Sequence, residues 1–402
     1  MKTRVAVFLG GRSPEHDISV VTGLQALHAL DEQRFAAFPV YIALDGSWHV
    51  GEALRERKNY LPDASTLREL QRVVLDLSPN VDGRGRLLPT RGSGLFAKPK
   101  AIEFDVALFA LHGLFGEDGR LQGLFDIANV PYTGMRQLPS GIFMDKAATK
   151  RILAGLEIPL LPSATVSRPA QGLVPKAAEL ERGMNGIEFP AVVKPMHLGS
   201  SIGVARAANI EELRASLPVI FRLDTEAIIE PFVENLVEYN VSVRNVSGRL
   251  LTSAIERPKS TEALLDFKAK YLSTQAGKGG SKQAGAVSQG MLSLTRDINP
   301  ELPGKMQENI CRWAKQCFSA LPPGGVPRVD FLSNSKTGEI WLNEVNPCPG
   351  SFGYFLWEAS AEPILFSDLL SFLIQEGFAA HRLTQLPADP THPDARLFER
   401  RA

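Results

Sequence analysis

Two acidic residues, an amide and an arginine alternate with apolar residues near the end of the chain. The sequence RVDF occupies residues 328–331, and NEVN follows at residues 343–346 after a turn near Lys336. Because residues two apart on a strand share a face, a hairpin would gather the polar side chains on one face. That face would carry Arg328, Asp330, Glu344 and Asn346. The opposite face would carry Val329, Phe331, Trp341 and Val345.

Oxygen ligands beside an arginine suit Mg²⁺ that bridges the phosphates of a nucleotide. On this interpretation Asp330, Glu344 and Asn346 are the metal ligands. The alternative is a ladder of surface salt bridges, but solvated hairpins rarely cluster two acids, an amide and an arginine on one face. We therefore predict a metal and nucleotide site at this hairpin.

Two lysines lie beside segments that suit phosphate binding. Lys194 ends an apolar strand ahead of the Gly- and Ser-rich segment 199–203, and Lys146 follows Met144 and Asp145. The ammonium groups would reach the phosphates of ATP, and the loop would offer backbone N–H groups to the γ-phosphate. Two solvated lysines and a flexible hairpin are the alternative. The sequence lacks GxxxxGK[ST], which excludes a P-loop site.

Glycine-rich segments follow two strands in the first third of the chain. One spans residues 10–19 and carries Glu15, and the other spans residues 111–123 and carries His112. Glycine lets the backbone turn tightly beside a ligand, and parallel strands present their carboxyl ends to a shared crevice. Glu15 would sit in that crevice and hold an ammonium group. Ordinary polar βα turns are the alternative for both segments.

A further segment, EPFVE at residues 230–234, ends a strand and carries Glu230. The backbone of such a strand can bind the edge of adenine, while a nearby acid holds the ribose hydroxyls. Glu238 is our candidate for the ribose contact. The alternative is that both glutamates are surface acids.

The composition narrows the class of protein. The chain has 402 residues, with 44 Lys+Arg and 44 Asp+Glu, so its formal net charge is zero. This length predicts two or three domains, and the charge balance offers no footprint for nucleic acid or a membrane surface. The three cysteines match no metal or redox spacing, which predicts reduced thiols in a cytoplasmic protein. No segment reaches the ~20 apolar residues of a membrane span.

The hydrophobic pattern predicts alternating strands and helices in the first third. Strands at residues 5–9, 38–42 and 105–111 accompany a helix at residues 18–30, and residues 126–130 run into a Pro-Tyr-Thr-Gly turn. This alternation favours a parallel sheet with crossover helices. Residues 44–100 are predicted as an insertion of hairpins and loops.

The remaining chain predicts shorter α+β units. Helices are expected at residues 140–156, 210–216 and 306–321, and strands at 191–194, 227–231, 239–246, 326–332 and 339–345. Residues 258–290 have little periodicity, which is typical of an active-site lid or of disorder. We expect domains at residues 1–139, 140–233 and 234–380, followed by a tail at 381–402.

Taken together, these segments resemble those of D-alanine–D-alanine ligases. The matching motifs run through nearly the whole chain in the order of that family: GGRSPEHDIS, LHGLFGEDGRLQG, PYTG, MDKAATK, VVKPMHLGSSIGV, EPFVE, RVDF and NEVNPCPG. The resemblance implies an α/β and α+β fold, with an N-terminal α/β (pre-ATP-grasp) domain before a two-subdomain ATP-grasp unit. It also implies ATP, two Mg²⁺ ions (or Mn²⁺), amino-acid substrates and a homodimer.

Roles follow from the resemblance at matching positions. Glu15 would hold the ammonium of the first substrate, and His112 would lie near its carboxylate. Contacts to ATP would come from Lys146, Lys194, Ser200, Ser201, Glu230 and Glu238. In the lid, residues 266–271, Lys270 would reach the phosphates and Tyr271 would hydrogen-bond with Ser200 and Glu15. Arg328 and the backbone of Gly350 would stabilise the tetrahedral intermediate.

Two places depart from the family pattern. Phe355 stands where a serine usually holds the carboxylate of the second substrate, and Ser351 is a candidate substitute. The aromatic residues of segment 351–357 are either structural packing or the lining of an altered acceptor pocket. In the lid, Leu265 replaces a common aromatic residue, and the following residues lack the usual proline.

The sequence leaves three functions open. The leading one is a ligase that makes D-alanyl-D-alanine or a related dipeptide for cell-wall assembly. The second is a specialised natural-product ligase with another acceptor. The third is a nucleotide-binding regulator without catalysis, against which the retained set at residues 328–346 argues.

Overall fold

The first strand of the chain is buried along almost its whole length. A computed structural model describes residues 2–60, 68–78, 82–90, 100–259, 296–321, 324–385 and 395. In it, β1 (Thr3–Gly10) contains an apolar run, Val5 to Leu9, whose side chains are fully buried. Such a continuous run is expected of a strand that is covered on both faces.

Helices cover the two faces of this strand in alternation. Val5, Val7 and Leu9 pack against α1 (His16–Ala29). Phe8 faces the other way, in a cluster of aromatic and aliphatic residues that includes Phe125 of α2 (Arg120–Ile127). Residues 126–130 comprise the end of α2 and the turn after it.

The N-terminal sheet is mixed rather than parallel. Only β2 (Phe35–Ile42) and β7 (Val106–Phe109) flank β1 in parallel. The antiparallel strands are β3 (Trp48–Val50), β4 (Gln71–Leu75), β5 (Gly85–Pro89) and β6 (Ile102–Phe104). The order is β6-β5-β4-β3-β2-β1-β7. The expected parallel sheet is thus limited to three strands, because the hairpins of the insertion join the same sheet.

This sheet coils until its two edges approach each other. β6 and β7 lie at opposite edges although only Asp105 separates them in the chain. The Oδ2 of Asp105 accepts the N–H of Arg4 on β1 at 2.8 Å, and the ring of Phe104 lies 6.3 Å from that of Phe8. These contacts hold the far edge of the sheet over its centre.

The predicted helix over residues 140–156 is two helices. They are α3 (Gln137–Met144) and α4 (Lys146–Leu153). Asp145 between them has extended backbone, and its Oδ1 accepts the N–H of Ala148 at 2.8 Å as an N-cap. The break makes Lys146 the first residue of a new helix.

The central unit is a small antiparallel sheet with helices on one face. Its strands, in the order β10-β9-β11-β8, are β8 (Ala164–Ser167), β9 (Ala191–Pro195), β10 (Ala205–Ala207) and β11 (Glu226–Pro231). Val193 and Ile229 pack against α5 (Ala177–Gly183) and α6 (Ile210–Leu223). Strand alternation turns Lys194 and Glu230 to the opposite face.

The C-terminal unit is a five-stranded antiparallel sheet in the order β14-β13-β12-β15-β16. Its strands are β12 (Leu236–Val246), β13 (Arg249–Pro258), β14 (Arg296–Ile298), β15 (Arg328–Asn334) and β16 (Ile340–Asn346). One face packs against α7 (Met306–Ser319) through residues such as Val241 and Phe331. The other face is polar and carries the predicted site. The predicted lid begins where β13 ends, and residues 260–295 lie outside the described residues.

A β-bulge corrects the predicted apolar face of the hairpin. Asp330 pairs with Glu344, but Phe331 pairs with Leu342, so Asn343 is an extra residue in β16. Leu342, only 1% exposed, therefore occupies the core position. The prediction that Trp341 faces this core is wrong, because the bulge shifts the alternation by one residue.

The chain ends in helices that return to the N-terminal sheet. α8 (Tyr354–Glu358) is short, and α9 (Phe366–Thr384) packs Leu369, Leu373 and Ile374 into the cluster around α1 and β1. The helix extends past residue 380, where the tail was expected to begin, and the proposed domain boundaries stay a prediction. Among the described residues, no helix is long and apolar enough to cross a membrane.

Candidate active site

Pairing of β15 with β16 brings the four polar residues of the hairpin together. Arg328 lies opposite Asn346, and Asp330 lies opposite Glu344. The guanidinium of Arg328 donates to both carboxylate oxygens of Asp330, through Nε and Nη2, each at 2.7 Å. Asn346 Nδ2 also donates to Asp330 Oδ2 at 2.8 Å. Asp330 is only 9% exposed, which disfavours the alternative of a solvated salt-bridge ladder.

Neighbouring charges set the ionisation of the two carboxylates apart. Loss of water raises the pKa of Asp330 to about 6, although Arg328 opposes the change. Burial acts in the same direction on Glu344, but the charges of Lys146, Lys194 and Arg328 outweigh it and lower the pKa of Glu344. The site therefore holds a firmly ionised carboxylate beside one that a cation would help to ionise.

Lys146 connects the helical segment to this hairpin. As the first residue of α4, it places Nζ 3.4 Å from Glu344 Oε2 and donates to the carbonyl oxygen of Leu198 at 2.5 Å. Leu198 directly precedes the glycine-rich loop. The lysine thus joins the loop to the predicted metal site.

Lys194 lies on the facing sheet, where it shares a buried carboxylate with a second lysine. Glu230 is 3% exposed. Its Oε2 lies 2.8 Å from Lys194 Nζ, and its Oε1 lies 2.6 Å from Lys150 Nζ. Burial opposes ionisation of Glu230, but the two lysines outweigh it and lower its pKa. Burial lowers the pKa of Lys150, whereas Glu230 and Glu344 outweigh burial at Lys194 and raise its pKa.

The bulge of β16 contributes to the same contact between the two sheets. Lys194 Nζ donates to Asn343 Oδ1 at 2.8 Å, which spans from β9 to β16. Regular alternation would turn Asn343 away from Glu344 and Lys194. Glu238 on β12 is close enough to contribute to the raised pKa of Lys194. The two sheets therefore enclose a set of cations and acids where a triphosphate was expected.

Glu15 and the glycine-rich loop meet at the edge of this set. Ser200 donates its hydroxyl hydrogen to Glu15 Oε1 at 2.5 Å, while Glu15 Oε2 has no hydrogen-bond partner among the described residues. The pKa of Glu15 is raised, mainly by burial, and the charge of Glu344 contributes in the same direction. The hydrogen bond from Ser200 acts in the opposite direction. Ser200 and Ser201 adopt φ angles of 54° and 59°, so the loop turns sharply at this contact.

Gly113 allows the backbone to approach Glu15, and Gly199 lies next to the same carboxylate. A side chain at Gly113, whose φ is 72°, would collide with Ser13 Oγ and Glu15 Oε2. A Cβ at Gly199 would lie 3.5 Å from Glu15 Oε1 and 3.9 Å from Asn346 Oδ1. Gly199 therefore sits between the first βα turn and the hairpin, and this contact links the N-terminal unit to the predicted metal ligands.

His112 belongs to a polarised chain of hydrogen bonds. Its Nδ1 lies 2.8 Å from the carbonyl oxygen of Cys348, so Nδ1 carries the hydrogen and donates it. Its Nε2 lies 2.9 Å from Thr22 Oγ1, so the threonine hydroxyl donates to the ring. Thr22 Oγ1 in turn accepts the N–H of Ser351 at 3.0 Å. Burial lowers the pKa of His112 to about 4, which makes the ring neutral near pH 7.

Glu117 closes this chain of hydrogen bonds on the other side of Cys348. Its Oε1 accepts the N–H of Gly113, and its Oε2 accepts the N–H of Cys348, both at 2.8 Å. Burial raises the pKa of Glu117 to about 8, with a further contribution from Glu15. The carboxyl group joins the second glycine-rich segment to the chain that follows β16.

Segment 350–357 supplies the remaining candidates. Gly350 begins a 3₁₀ turn directly after this Cys348-Pro349 junction. Ser351 is half-exposed. Its hydroxyl donates to Gln25 Oε1 of α1 at 2.5 Å, and this hydrogen bond fixes the orientation of the side chain. Lys270 and Tyr271 lie outside the described residues.

The oxygen ligands of the hairpin fit Mg²⁺ as a minimal set. Among the residues that the structure describes, no three His, Cys, Asp or Glu side chains form a metal-binding group by themselves. Mg²⁺ is usually held by one or two carboxylates together with substrate phosphates and water. Asp330 and Glu344, paired across two strands with the Asn346 amide beside them, match that requirement.

Several residues of the site are absent from the set predicted from the sequence. Lys150 could have been found, because it follows Lys146 by one helical turn and shares its face. Glu117 lies inside a quoted motif, but nothing in the spacing predicts its contact with Cys348. Thr22 and Asn343 gave no signal, since one is a lone residue in an apolar helix and the other depends on the bulge.

Two family models and several known proteins match this chain. The model for the D-ala D-ala ligase N-terminus matches residues 4–135, and the model for the D-ala D-ala ligase C-terminus matches residues 152–375. D-alanine–D-alanine ligase A of Bradyrhizobium diazoefficiens is 31% identical over 396 residues, which cover 96% of this chain and 97% of the relative. D-alanine–D-alanine ligase of Heliobacterium modesticaldum is 32% identical over 399 residues, which cover 98% and 99%.

Solved structures match over the same extent. A D-Ala:D-Ser ligase from Enterococcus faecalis has a TM-score of 0.69 at 25% identity, covering 94% of this chain and all (100%) of that one. The D-alanine–D-alanine ligase of Coxiella burnetii, at 22% identity and a TM-score of 0.70 over 95% of both chains, shares the fold. From the two family models and from relatives above 30% identity, the chain belongs to the D-alanine–D-alanine ligase family.

Proposed function

We propose that this chain activates the carboxylate of a D-amino acid with ATP and joins it to the amine of a second amino acid. Membership of the family makes the chain an ATP-dependent ligase that forms a peptide-type bond and releases ADP and phosphate. The substrates, the metal and the role of each residue are the proposal. D-Alanyl-D-alanine or a related dipeptide for peptidoglycan is the product that the relatives favour.

One observation carries the proposal: Glu15 and Ser200 meet beside the cations and acids that would hold ATP. Glu15 is close enough for Glu344, Lys146 and Arg328 to influence its pKa. The ammonium of a donor amino acid would pair with the buried Glu15 carboxylate and lower its pKa. The donor carboxylate, two bonds from that ammonium, would then lie beside the residues assigned to the γ-phosphate.

The bond changes follow from this placement. A carboxylate oxygen of the donor forms a bond to the γ-phosphorus as the bond to the bridging oxygen of ADP breaks, which gives an acyl phosphate. The acceptor nitrogen then bonds to the carbonyl carbon. Phosphate leaves with one former carboxylate oxygen, and the nitrogen loses a proton. A direct attack on the carboxylate would have to expel a far poorer leaving group.

This chain's residues would act on charge and position. Lys146 and Lys194 would hold the phosphate oxygens, and Ser200 and Ser201 would present the loop to the γ-phosphate. Glu230 and Glu238 would hold the nucleotide end, with Glu230 keeping Lys194 charged and in place. Mg²⁺, held by Asp330, Glu344 and Asn346, would supply charge neutralisation between the phosphates.

Arg328 and Gly350 would act on the intermediate formed at the carbonyl carbon. Arg328 is held by Asp330 through Nε and Nη2, so its guanidinium has a defined direction. Fixed donors that face a developing oxyanion cost no reorganisation during the reaction. For Lys270 and Tyr271 we propose the roles that the resemblance implies. A homodimer and a cytoplasmic location are part of the same proposal.

A second candidate function differs only in the acceptor. Phe355 offers no hydroxyl at the position that usually binds the acceptor carboxylate, which favours a specialised ligase. A regulator without catalysis is disfavoured, because the buried set at residues 328–346 costs desolvation that a retired site has no need to maintain.

Product analysis separates these candidates. Phosphate release is measured with ATP, Mg²⁺ and D-alanine alone, then with added amino acids and amines, and products are identified by mass spectrometry. Stoichiometric D-alanyl-D-alanine supports the first candidate, and a mixed product alone supports the second. If no mixture yields product, while Glu344→Ala binds ATP as the unaltered chain does, the ligase proposal is wrong.

A further inference from the structure

The aromatic residues of segment 352–357 divide into a packing set and one outlier. Phe352, Leu356 and Trp357 are buried, and Tyr354 stacks on Phe366 of α9 with 4.7 Å between ring centroids. Phe355 is half-buried and turned toward the C-terminal sheet. Its ring lies under the guanidinium of Arg296, with the Cζ atom 4.6 Å from the ring centroid. Phe355 also packs edge-to-face on Tyr354, with 6.0 Å between ring centroids, but it is the aromatic residue of this segment that contacts Arg296.

Arg296 belongs to the same face of the sheet as the predicted metal ligands. A row of directly paired residues crosses the strands, with Glu344 next to Asp330, Asp330 next to Asn240, and Asn240 next to Glu256. Asn240 Nδ2 donates to Glu256 Oε1 at 2.9 Å, and Arg296 Nη1 donates to Glu256 Oε2 at 2.8 Å. Paired residues on neighbouring strands share a face, so this row leads from Asp330 to Arg296.

Arg296 keeps donor capacity beyond its contact with Glu256. A guanidinium has five N–H donors, and the Nε of Arg296 has no hydrogen-bond partner among the described residues. The side chain is 27% exposed, whereas that of Glu256 is 2% exposed. The Nε is itself buried, so a second anion can reach the guanidinium from the solvent side through its Nη atoms. The aromatic ring beneath it excludes water and strengthens such a contact.

The chain path connects the ring beneath this guanidinium to the residue assigned to the carbonyl centre. Gly350, assigned to the carbonyl centre, precedes Phe355 by five residues in the same 3₁₀ turn and helix. An acceptor between them would have its amine at the carbonyl centre and its far end at Arg296. We propose that Arg296, seated on Phe355, binds the carboxylate of the acceptor amino acid and so determines acceptor specificity. This inference rests on the proposed ligase function.

The proposal identifies the acceptor as an amino acid with a free carboxylate. The nitrogen forms the new bond to the carbonyl carbon, phosphate is released and a proton leaves the nitrogen, while the acceptor carboxylate remains unchanged in the product. A guanidinium binds a carboxylate through two parallel N–H donors. Esters, amides and simple amines lack that anion and would bind weakly.

The test separates activation of the donor from binding of the acceptor. With ATP, Mg²⁺ and D-alanine, hydroxylamine traps the acyl phosphate as a hydroxamate and needs no acceptor carboxylate. Dipeptide formation is measured in parallel with D-alanine and with D-alaninamide as acceptors. Arg296→Met is compared with Arg296→Lys. The control is Arg257→Gln, because Arg257 forms an ion pair with Asp297 at 2.6 Å on the adjacent position of the same sheet edge.

We expect Arg296→Met to lower the ratio of dipeptide to hydroxamate formation by about tenfold to a hundredfold, the range for a charged hydrogen bond. The preference for D-alanine over D-alaninamide should also disappear in Arg296→Met. Arg296→Lys should restore part of the ratio and part of the preference. A ratio and a preference that stay within the range of Arg257→Gln would overturn the proposal. Absence of hydroxamate from the unaltered chain would instead refute the ligase function itself.

Discussion

Ser200 and Glu15 are 185 positions apart in the chain, and the hydroxyl of one donates to the carboxylate of the other at 2.5 Å. This hydrogen bond joins the glycine-rich loop of the central unit to the first βα turn of the N-terminal unit. It also places the group assigned to the donor ammonium next to the group assigned to the γ-phosphate. Phosphoryl transfer between the two substrates requires this proximity.

Substitution of Ser200 by alanine tests that relationship. The hydroxyl lowers the pKa of Glu15 against the effect of burial, so its loss leaves less ionised carboxylate for the donor ammonium. We expect the KM of the donor to rise about tenfold, the effect of one buried hydrogen bond to a charged group. Ser201→Ala should act mainly on the KM of ATP. A rise in the KM of ATP with an unchanged KM of the donor would contradict the assignment of Ser200 to Glu15.

Substitution of Glu230 by glutamine should be strongly destabilising. The change leaves Lys150 and Lys194 buried without their shared carboxylate, so the free energy of unfolding should fall by about 3 kcal/mol. Glu226→Gln is the matched control on β11, since Glu226 accepts a hydrogen bond from Ser167 at 3.2 Å near the surface. Denaturant titration of both variants checks this. A loss no greater than that of the control would show that the lysines find other partners.

The pH dependence of the same variant has a definite sign. The folded pKa of Glu230 lies below its ordinary value of 4.5, so its stabilisation is fully present above pH 4.5 and is lost as pH falls through the folded pKa. The difference in unfolding free energy between the unaltered chain and Glu230→Gln should therefore shrink only in acid. A difference that changes instead between pH 6 and 8 would point to another group.

The contribution of His197 to the stability of the fold should decline in alkali. Its Nδ1 lies 3.0 Å from Asp224 Oδ1, and its Nε2 lies 3.7 Å from Asp145 Oδ2. The nearby carboxylate of Asp145 and the hydrogen bond to Asp224 raise the pKa of His197 to about 9. The stabilisation is therefore complete below pH 6.5 and lost as pH rises through about 9.

A comparison of melting temperatures checks the contribution of His197. His197→Gln should cost about 2 kcal/mol at pH 6, after allowance for solvent screening, and almost nothing at pH 10. His28→Gln serves as a control, because His28 bonds to the Leu24 carbonyl within α1. A cost of His197→Gln that is constant across this range would mean that the imidazole acts by packing and not by charge.

His112 should position the substrate as a neutral ring. Its pKa is lowered to about 4 by burial, so donor binding should show no titration of this residue between pH 5 and 8. Thr22→Val removes the hydroxyl that donates to Nε2, and should reduce kcat/KM for the donor about tenfold. Thr22→Ser should retain most of it. A binding step that follows an apparent pKa near 6.5, and that Thr22→Val leaves in place, would refute the neutral ring.

The sequence predicts most of the site where the pattern is local. Alternation along two strands places Arg328, Asp330, Glu344 and Asn346 on one face, and the structure brings them together. The glycine-rich turns around Glu15 and His112 follow strands, as predicted, and lie at neighbouring positions. In both cases, a short-range rule fixes the direction of the side chain.

Residues that depend on tertiary contacts could not be predicted in this way. The bulge at Asn343 shifts the face of Trp341 and brings an amide to Lys194, although β16 gives no local signal of it. Asp145 divides a continuous helical pattern because its own side chain caps the second helix. The role proposed for Arg296 depends on two tertiary contacts: β14 pairs with β13, and the ring of Phe355 lies beneath the guanidinium.

Phosphoryl transfer to a carboxylate should precede formation of the peptide-type bond. D-Alanine labelled with ¹⁸O in its carboxylate is incubated with ATP, Mg²⁺ and the protein, and the released phosphate is analysed by mass spectrometry. We expect one ¹⁸O atom in each phosphate molecule formed with product, and no labelled phosphate from Glu344→Ala. Product accompanied by unlabelled phosphate would contradict an acyl phosphate and the assignment of the site.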